Sequence, residues 1–322
     1  MKPASGSPVS SRPWFAGVFL SPDEPRLRAG WRLVLQSLLA LVLLFAFTLP
    51  IVIGLMLAGA GSVETLQGFL LLNALPSLLG IVASVWIARR FFDLRSFSSL
   101  GLDLTRRAAQ DVAAGIAIAA VMMGAILLLE IAIGWTRLEG WAWQTTPGSR
   151  VMLELVVALL LFVAVGIQEE ILSRGYHLQN IKDGTNLLWG VILSSAVFAA
   201  LHIGNPNSIW YATILGLFAA GVFLAYGWVR TRALWLPIGL HIGWNLFEGP
   251  VFGFPVSGLA TSRLLVHTVN GPPIWTGGAF GPEAGLIILP AMVLGSCLVW
   301  AYTRGRSLRQ SDAPTPRPAA EE

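Results

Sequence analysis

Eight long apolar runs, separated by short polar stretches, organise this chain. They cover residues 33–57, 66–87, 112–135, 152 to beyond 169, 187–202, 209–229, 234–247 and 286–302. A helix crossing the hydrocarbon core of a bilayer needs about 20 apolar residues, so each run is read as a spanning helix. The seventh is short and contains Pro237, which leaves its ends loosely defined. The predicted fold is all-α: a polytopic membrane protein whose bundle of about eight transmembrane helices encloses an intramembrane polar cavity. No internal repeat points to a transporter built from inverted halves.

The polar stretches alternate in charge. Arg26, Arg28 and Arg32 precede the first run, and Arg89, Arg90, Arg95, Arg106 and Arg107 lie between the second and third. Arg174 and Lys182, then Arg230 and Arg232, then Arg304, Arg306 and Arg309 follow on the same side, while the opposite loops are poor in positive charge. Positive residues favour the cytoplasmic side, so both termini are expected there. Trp31, Trp86, Trp135, Trp228, Trp235 and Trp300 fall near run ends, as an interfacial aromatic belt would place them. We divide the chain into a disordered cytoplasmic tail (1–30), three N-terminal transmembrane helices (31–150), a core (151–250), a loop with the last transmembrane helix (251–310) and a second disordered tail (311–322). The Gly- and Pro-rich stretch 249–285 reads either as a partly inserted lid or as an ordinary outside loop.

Composition agrees with the pattern. Apolar residues make up 55% of the 322 positions and charged ones 12%, against about 25% charged in soluble domains. Mean hydropathy is +0.70. The net charge of +4 comes from Arg in the flanks of apolar runs, which argues against nucleic acid as a partner. The single cysteine, Cys297, excludes a disulfide framework and reads as a small buried residue. No cleavable signal peptide is expected, since the first 30 residues lack a basic stretch followed by an apolar run.

The candidate chemistry lies inside the runs. Gln168-Glu169-Glu170-Ile171-Leu172-Ser173-Arg174 follows a segment whose only charge is Glu154. A charge near a bilayer centre costs about 2.5–3.5 kcal/mol. Glu170 and Arg174, four apart on a helix, share a face and neutralise each other. Glu169 points elsewhere and lacks that partner, which suits a general base that takes a proton from water. Taken alone, the two glutamates read equally well as the cytoplasmic end of a helix. His202 ends the fifth run, and His241 and Asn245 are four apart in the seventh. A lone histidine in an apolar helix is more often a hydrogen-bonded core residue. Two of them, with an asparagine and a diacid, cannot all stay unpaired in hydrocarbon and are expected to face one another. Gly239 and Gly243 would let the helix carrying them approach its neighbours closely. Such a cluster can polarise a water and stabilise an oxyanion. With zinc, the two histidines and a glutamate could instead be ligands; Glu169, His202 and His241 are the candidates, although no H-E-x-x-H is present.

Glu169-Glu170-x-x-x-Arg174, Phe198-x-x-x-His202 and His241-x-x-x-Asn245 resemble, in order, the three motifs of the CPBP family, the CAAX proteases and bacteriocin-processing enzymes. The resemblance covers about residues 151–250. The stretch Arg95-Ser96-Phe97-Ser98-Ser99-Leu100-Gly101-Leu102 also looks like an upstream segment of bacterial members. The resemblance implies an eight-helix intramembrane endopeptidase acting on a membrane-associated or lipidated peptide or protein. Glu169 would activate the water and His202 position it. His241 and Asn245 would stabilise the oxyanion, and Glu170 and Arg174 would hold the site together. Family members carry the name metalloprotease, yet a metal-free glutamate mechanism is argued for them; the residues leave this open. A bacterial inner-membrane member is the favoured expectation.

The order of runs carries a geometric demand. Glu169 and His202 meet only if the fourth helix continues past Glu169, to about Asn180, with the turn in the polar 180–186 stretch. His177 would then share a face with Glu170, although it reads as well as an interfacial histidine. Buried Glu and His also make proton relays, so a transporter or proton-coupled carrier is the alternative. A non-catalytic membrane adaptor is the other.

Overall fold

The computed structural model describes residues 16–22, 24–58, 68 and 70–306. Its eight main helices are α1 (Ala29–Leu57), α2 (Leu75–Phe91), α3 (Arg106–Ile133), α4 (Gly148–Gly184), α5 (Leu187–Leu201), α6 (Trp210–Thr231), α7 (Trp235–Leu246) and α8 (Ile288–Thr303). A π-helical turn, Leu70–Ala74, leads into α2, and another, Phe247–Val251, extends α7. Strands β1 (Thr136–Trp141) and β2 (Leu265–Val269) pair antiparallel, with a bulge between Leu138 and Gly140.

The helix ends follow local chemistry. Thr105 caps α3 by accepting from Ala108 N at 3.3 Å, and Gly134 ends that helix in the left-handed region, at φ 82°. Asn186 caps α5 by accepting from Trp189 N at 3.1 Å. These side chains satisfy backbone groups that a helix end leaves open.

Five helical stretches among the described residues are long and apolar enough to cross a membrane: Ala29–Leu57, Leu72–Phe91, Arg106–Ile133, Gly148–Gly184 and Trp210–Thr231. The polytopic all-α reading therefore stands, but not every apolar run is a full span. The 15 residues of α5 and 16 of α8 rise about 1.5 Å each, short of the hydrocarbon thickness of about 30 Å.

Helix α7 is the centre of the bundle. Every residue from Leu236 to Asn245 is buried. It crosses α3 at backbone contact. A Cβ on Gly239 would stand 2.3 Å from Val112 O, one on Gly243 2.7 Å from Ile116 Cα, and one on Gly115 2.5 Å from Leu240 N. Small residues at such crossings let helices approach where hydrophobic burial cannot drive them together. Met122, Met123, Leu236 and Leu240 form one core beside this crossing. Leu100, Tyr176, Leu178, Leu234 and Ile238 form a second near the far end of α4.

That end is tied by ions. Asp93, after α2, accepts from Arg32 Nη1 at 3.3 Å and from Arg89 Nη1 at 2.8 Å. Arg26 Nη2 reaches Asp183 at 3.1 Å. Order thus extends into the stretch expected as a tail: Ala16–Phe19 is helical, Leu20 bridges Leu27, and Arg26 is buried. Residues 1–15 and 307–322, the rest of the expected tails, lie outside the described residues. Two other expectations are corrected. Cys297 is exposed rather than buried, because it points outward from α8. Trp228 is buried under the Arg232 guanidinium instead of joining an interfacial belt, while Trp31, Trp86 and Trp300 are exposed.

Candidate active site

Glu169 and Glu170 stand inside α4, not at its end. The helix opens into a π-helical stretch, Ile171–His177, and runs on to Gly184. The turn falls at Thr185 and Asn186, so α5 starts deep enough to bring its last residues back to the diacid. A π-helical turn shifts the register of the residues after it and is frequent at functional sites. No sequence signal announced it.

Glu170 is fully buried and saturated on one oxygen. Its Oε1 accepts from Arg174 Nη1 at 2.8 Å and from His241 Nδ1 at 2.8 Å. Arg174 also donates from Nη2 to Gly221 O at 3.0 Å, and its guanidinium lies 4.4 Å from the centre of the Phe198 ring. One buried ion pair thus ties α4 to α5, α6 and α7. Such a pair is held in place by geometry rather than by net energy, since desolvation offsets much of its attraction.

Glu169 faces the other way. Its Oε2 lies 3.7 Å from His202 Nε2 and 3.8 Å from His241 Nε2. That oxygen is buried and has no hydrogen-bond partner among the described residues. The two imidazoles are oriented from behind. His202 Nδ1 is 2.8 Å from Phe198 O, and His241 Nδ1 is 2.8 Å from Glu170 Oε1. A carbonyl and a carboxylate oxygen can only accept, so each Nδ1 carries a hydrogen. Glu169 Oε2 and the two Nε2 atoms converge on one small space. The unpartnered carboxylate oxygen there suits a proton donor such as a water.

The space opens into a cavity of about 520 Å³, lined by Glu169, His202, His241 and Asn245. The four residues expected to meet therefore line one chamber, with Glu170 and Arg174 behind it. His177 is buried but does not line it. Among the described residues, no group of three or more His, Cys, Asp and Glu side chains is arranged to hold a metal ion.

Sequence reasoning missed part of the wall. Asn73 and Ser77, at the start of α2, line the cavity, as do Ser257, Thr261 and Glu283 from the stretch left between lid and outside loop. That stretch is part of the chamber. Glu283, like Glu169, is a carboxylate in an apolar segment, but it stands alone there, with no adjacent acid and no arginine at helical spacing to draw attention to it.

Residues 151–247 match the model of a family described as "Type II CAAX prenyl endopeptidase Rce1-like". A Bacillus subtilis (strain 168) protein named "Putative membrane peptidase YdiL" is 25% identical over 109 residues, which is 32% of this chain. The chain spans 42% of the length of that curated relative. No solved structure gives a significant match. The matched segment holds α4 through α7 and with them Glu169, Glu170, Arg174, His202, His241 and Asn245. Over that segment the chain is similar to CAAX-type membrane proteases.

Proposed function

We propose that the chain is an intramembrane endopeptidase in which Glu169 activates a water against a peptide carbonyl. One observation carries this reading: an unpartnered Glu169 oxygen faces two imidazole Nε2 atoms that are held from behind, in a chamber within apolar helices. In the proposed reaction a water sits between Glu169 Oε2 and His202 Nε2. Glu169 takes one of its protons as the water oxygen bonds to the carbonyl carbon. The carbonyl electrons move to oxygen, and that oxyanion is met by Asn245 and by His241. Glu170 on Nδ1 supports a doubly protonated His241 ring that donates from Nε2. Glu169 then returns its proton to the amide nitrogen as the carbon–nitrogen bond breaks. Positioned acid–base groups of this kind contribute about 10²–10⁴-fold each.

The substrate is a membrane-associated or lipidated peptide or protein, reached from the bilayer. The setting we infer is a bacterial inner membrane with both termini cytoplasmic, on the strength of the arginine distribution. The test compares the membrane peptides of cells carrying wild-type protein and Glu169→Gln. Peptides that accumulate uncut only in the mutant support the reading. Undiminished cleavage by purified Glu169→Gln, or solute flux in liposomes without any cleavage, sinks it. Metal content of the purified protein, with activity before and after chelation, addresses zinc separately.

A further inference from the structure

We propose that Glu283 is a positioning residue that clamps the turn Val256–Leu259 to α7 and so sets how the chamber closes over His241 and Asn245. It lies outside the segment 151–247 that carries the family match. Its side chain is 5% exposed, yet it lines the same cavity as Glu169.

One carboxylate joins two elements. Oε1 accepts from Trp244 Nε1 at 3.0 Å. Trp244 sits on α7 between His241 and Asn245. Oε2 accepts from Ser257 N at 2.9 Å and from Ser257 Oγ at 2.5 Å. Hydrogen bonds to an ionised acceptor are short and strong.

The turn needs holding. Ser257 has φ 47° and Gly258 φ 83°, both left-handed. Glycine takes this conformation freely; serine does so at a cost and stays there only when its surroundings impose it. The other restraints come from the segment just before Glu283, where Phe280 O accepts from Gly258 N at 2.8 Å, and from the loop after His202. Asn205 Nδ2 donates to Ser257 O at 3.1 Å, and Asn207 Nδ2 donates to Gly258 O at 3.1 Å. The turn is therefore braced against both histidine-bearing helices, against α5 through the asparagines and against α7 through Glu283. Of these braces, the Glu283 carboxylate alone grips the strained residue through both its N–H and its hydroxyl. With the clamp in place, Ser257, Leu259 and Thr261 form a fixed wall across from Glu169. Without it the wall moves and the chamber widens. Glu283 touches no reacting atom in this scheme. Its effect on substrate rests on the endopeptidase reading, whereas its effect on the turn does not.

The experiment uses the full chain in proteoliposomes. Cys297→Ser removes the single cysteine, and Leu259→Cys places a thiol on the turn. Labelling by a charged maleimide reports how often the turn opens. We expect Glu283→Ala to speed labelling at least about tenfold, as loss of charge-assisted bonds implies, and Glu283→Gln to fall between. Ser257→Gly, which removes the backbone strain, should slow labelling again in the Glu283→Ala background. In the chain without these cysteine changes, Glu283→Ala should raise KM for a cleaved peptide several-fold more than it lowers kcat. Unchanged labelling in folded Glu283→Ala overturns the proposal. If that variant does not fold, unchanged labelling in Glu283→Gln does the same. A fall in kcat alone, at constant KM and constant labelling, also overturns it. If wild-type protein cleaves no peptide, the endopeptidase reading fails, while the labelling still decides the clamp.

Discussion

His241 turns its Nδ1 to Glu170 Oε1 at 2.8 Å, and this single contact separates the roles of the two adjacent glutamates. It fixes the ring so that Nε2 faces Glu169, 3.8 Å away. Glu170 is thereby committed to Arg174 and His241, while Glu169 Oε2 keeps no hydrogen-bond partner among the described residues.

The two carboxylates should therefore fail differently. Glu170→Gln leaves the buried Arg174 guanidinium without its counter-charge. Removing one partner of a buried pair costs about 3–5 kcal/mol. Thermal melts in detergent should show a large drop for this variant. Glu169→Gln should melt close to wild type and lose peptide cleavage by about 10²–10⁴-fold. Equal melting losses in both variants would contradict the division.

The α3–α7 crossing makes a steric prediction. A methyl group on Gly239 would meet the Val112 carbonyl oxygen at 2.3 Å. Backbone cannot rotate away as a long side chain can, so Gly239→Ala must push α7 from α3. Overpacking of this kind costs about 1–3 kcal/mol. It also moves His241, and a misplacement of about 1 Å can cost about 10²-fold in rate. Gly30→Ala, with nothing within 4 Å of the added carbon, is the matched control. Cleavage and melting should both fall for Gly239→Ala and for neither in the control.

Asp93 should matter for assembly and not for chemistry. Its side chain is buried between Arg32 and Arg89, with Tyr176 Oη at 3.4 Å. Asp93→Ala leaves the buried Arg89 guanidinium without its counter-charge and Arg32 with Asp183 alone, at 3.8 Å, at a cost of about 3–5 kcal/mol. The expected readout is faster proteolysis of the N-terminal segment around residue 26, since Arg32 joins that network to α1.

His267 supplies a pH dependence. It lies on β2 outside the spans, buried and packed 4.7 Å from the Phe254 ring centre. Burial lowers its pKa from the ordinary 6.5. The folded state then binds this proton less readily than the unfolded chain. The stability that comes from holding the ring neutral is complete above about pH 6.5 and is lost as the pH falls below it. Melting temperature should fall between pH 7 and pH 5, and His267→Phe should flatten that slope. An identical slope in the variant would assign the acid sensitivity to other groups.

Much of this was legible along the chain. Apolar run length alone placed most helix ends to within about four residues, because hydrocarbon tolerates only backbone that satisfies its own hydrogen bonds; the starts of α2, at Leu75 against 66, and of α3, at Arg106 against 112, were missed by more. Helical spacing paired Glu170 with Arg174 and placed His241 and Asn245 on one face. The demand that Glu169 reach His202 required α4 to pass the diacid. Other features depend on contacts between residues far apart in sequence. The runs behind α5 and α8 were already shorter than a full span on the chain, at 187–202 and 286–302; what these helices pack against was not legible there. The π-helical stretch at Ile171–His177, the choice of α3 as the partner of Gly239, and the His241–Glu170 contact follow from packing that no local pattern encodes. Glu283 is the clearest case. On the chain it is one acid in an apolar loop, and only the folded arrangement brings Trp244 and Ser257 to its two oxygens.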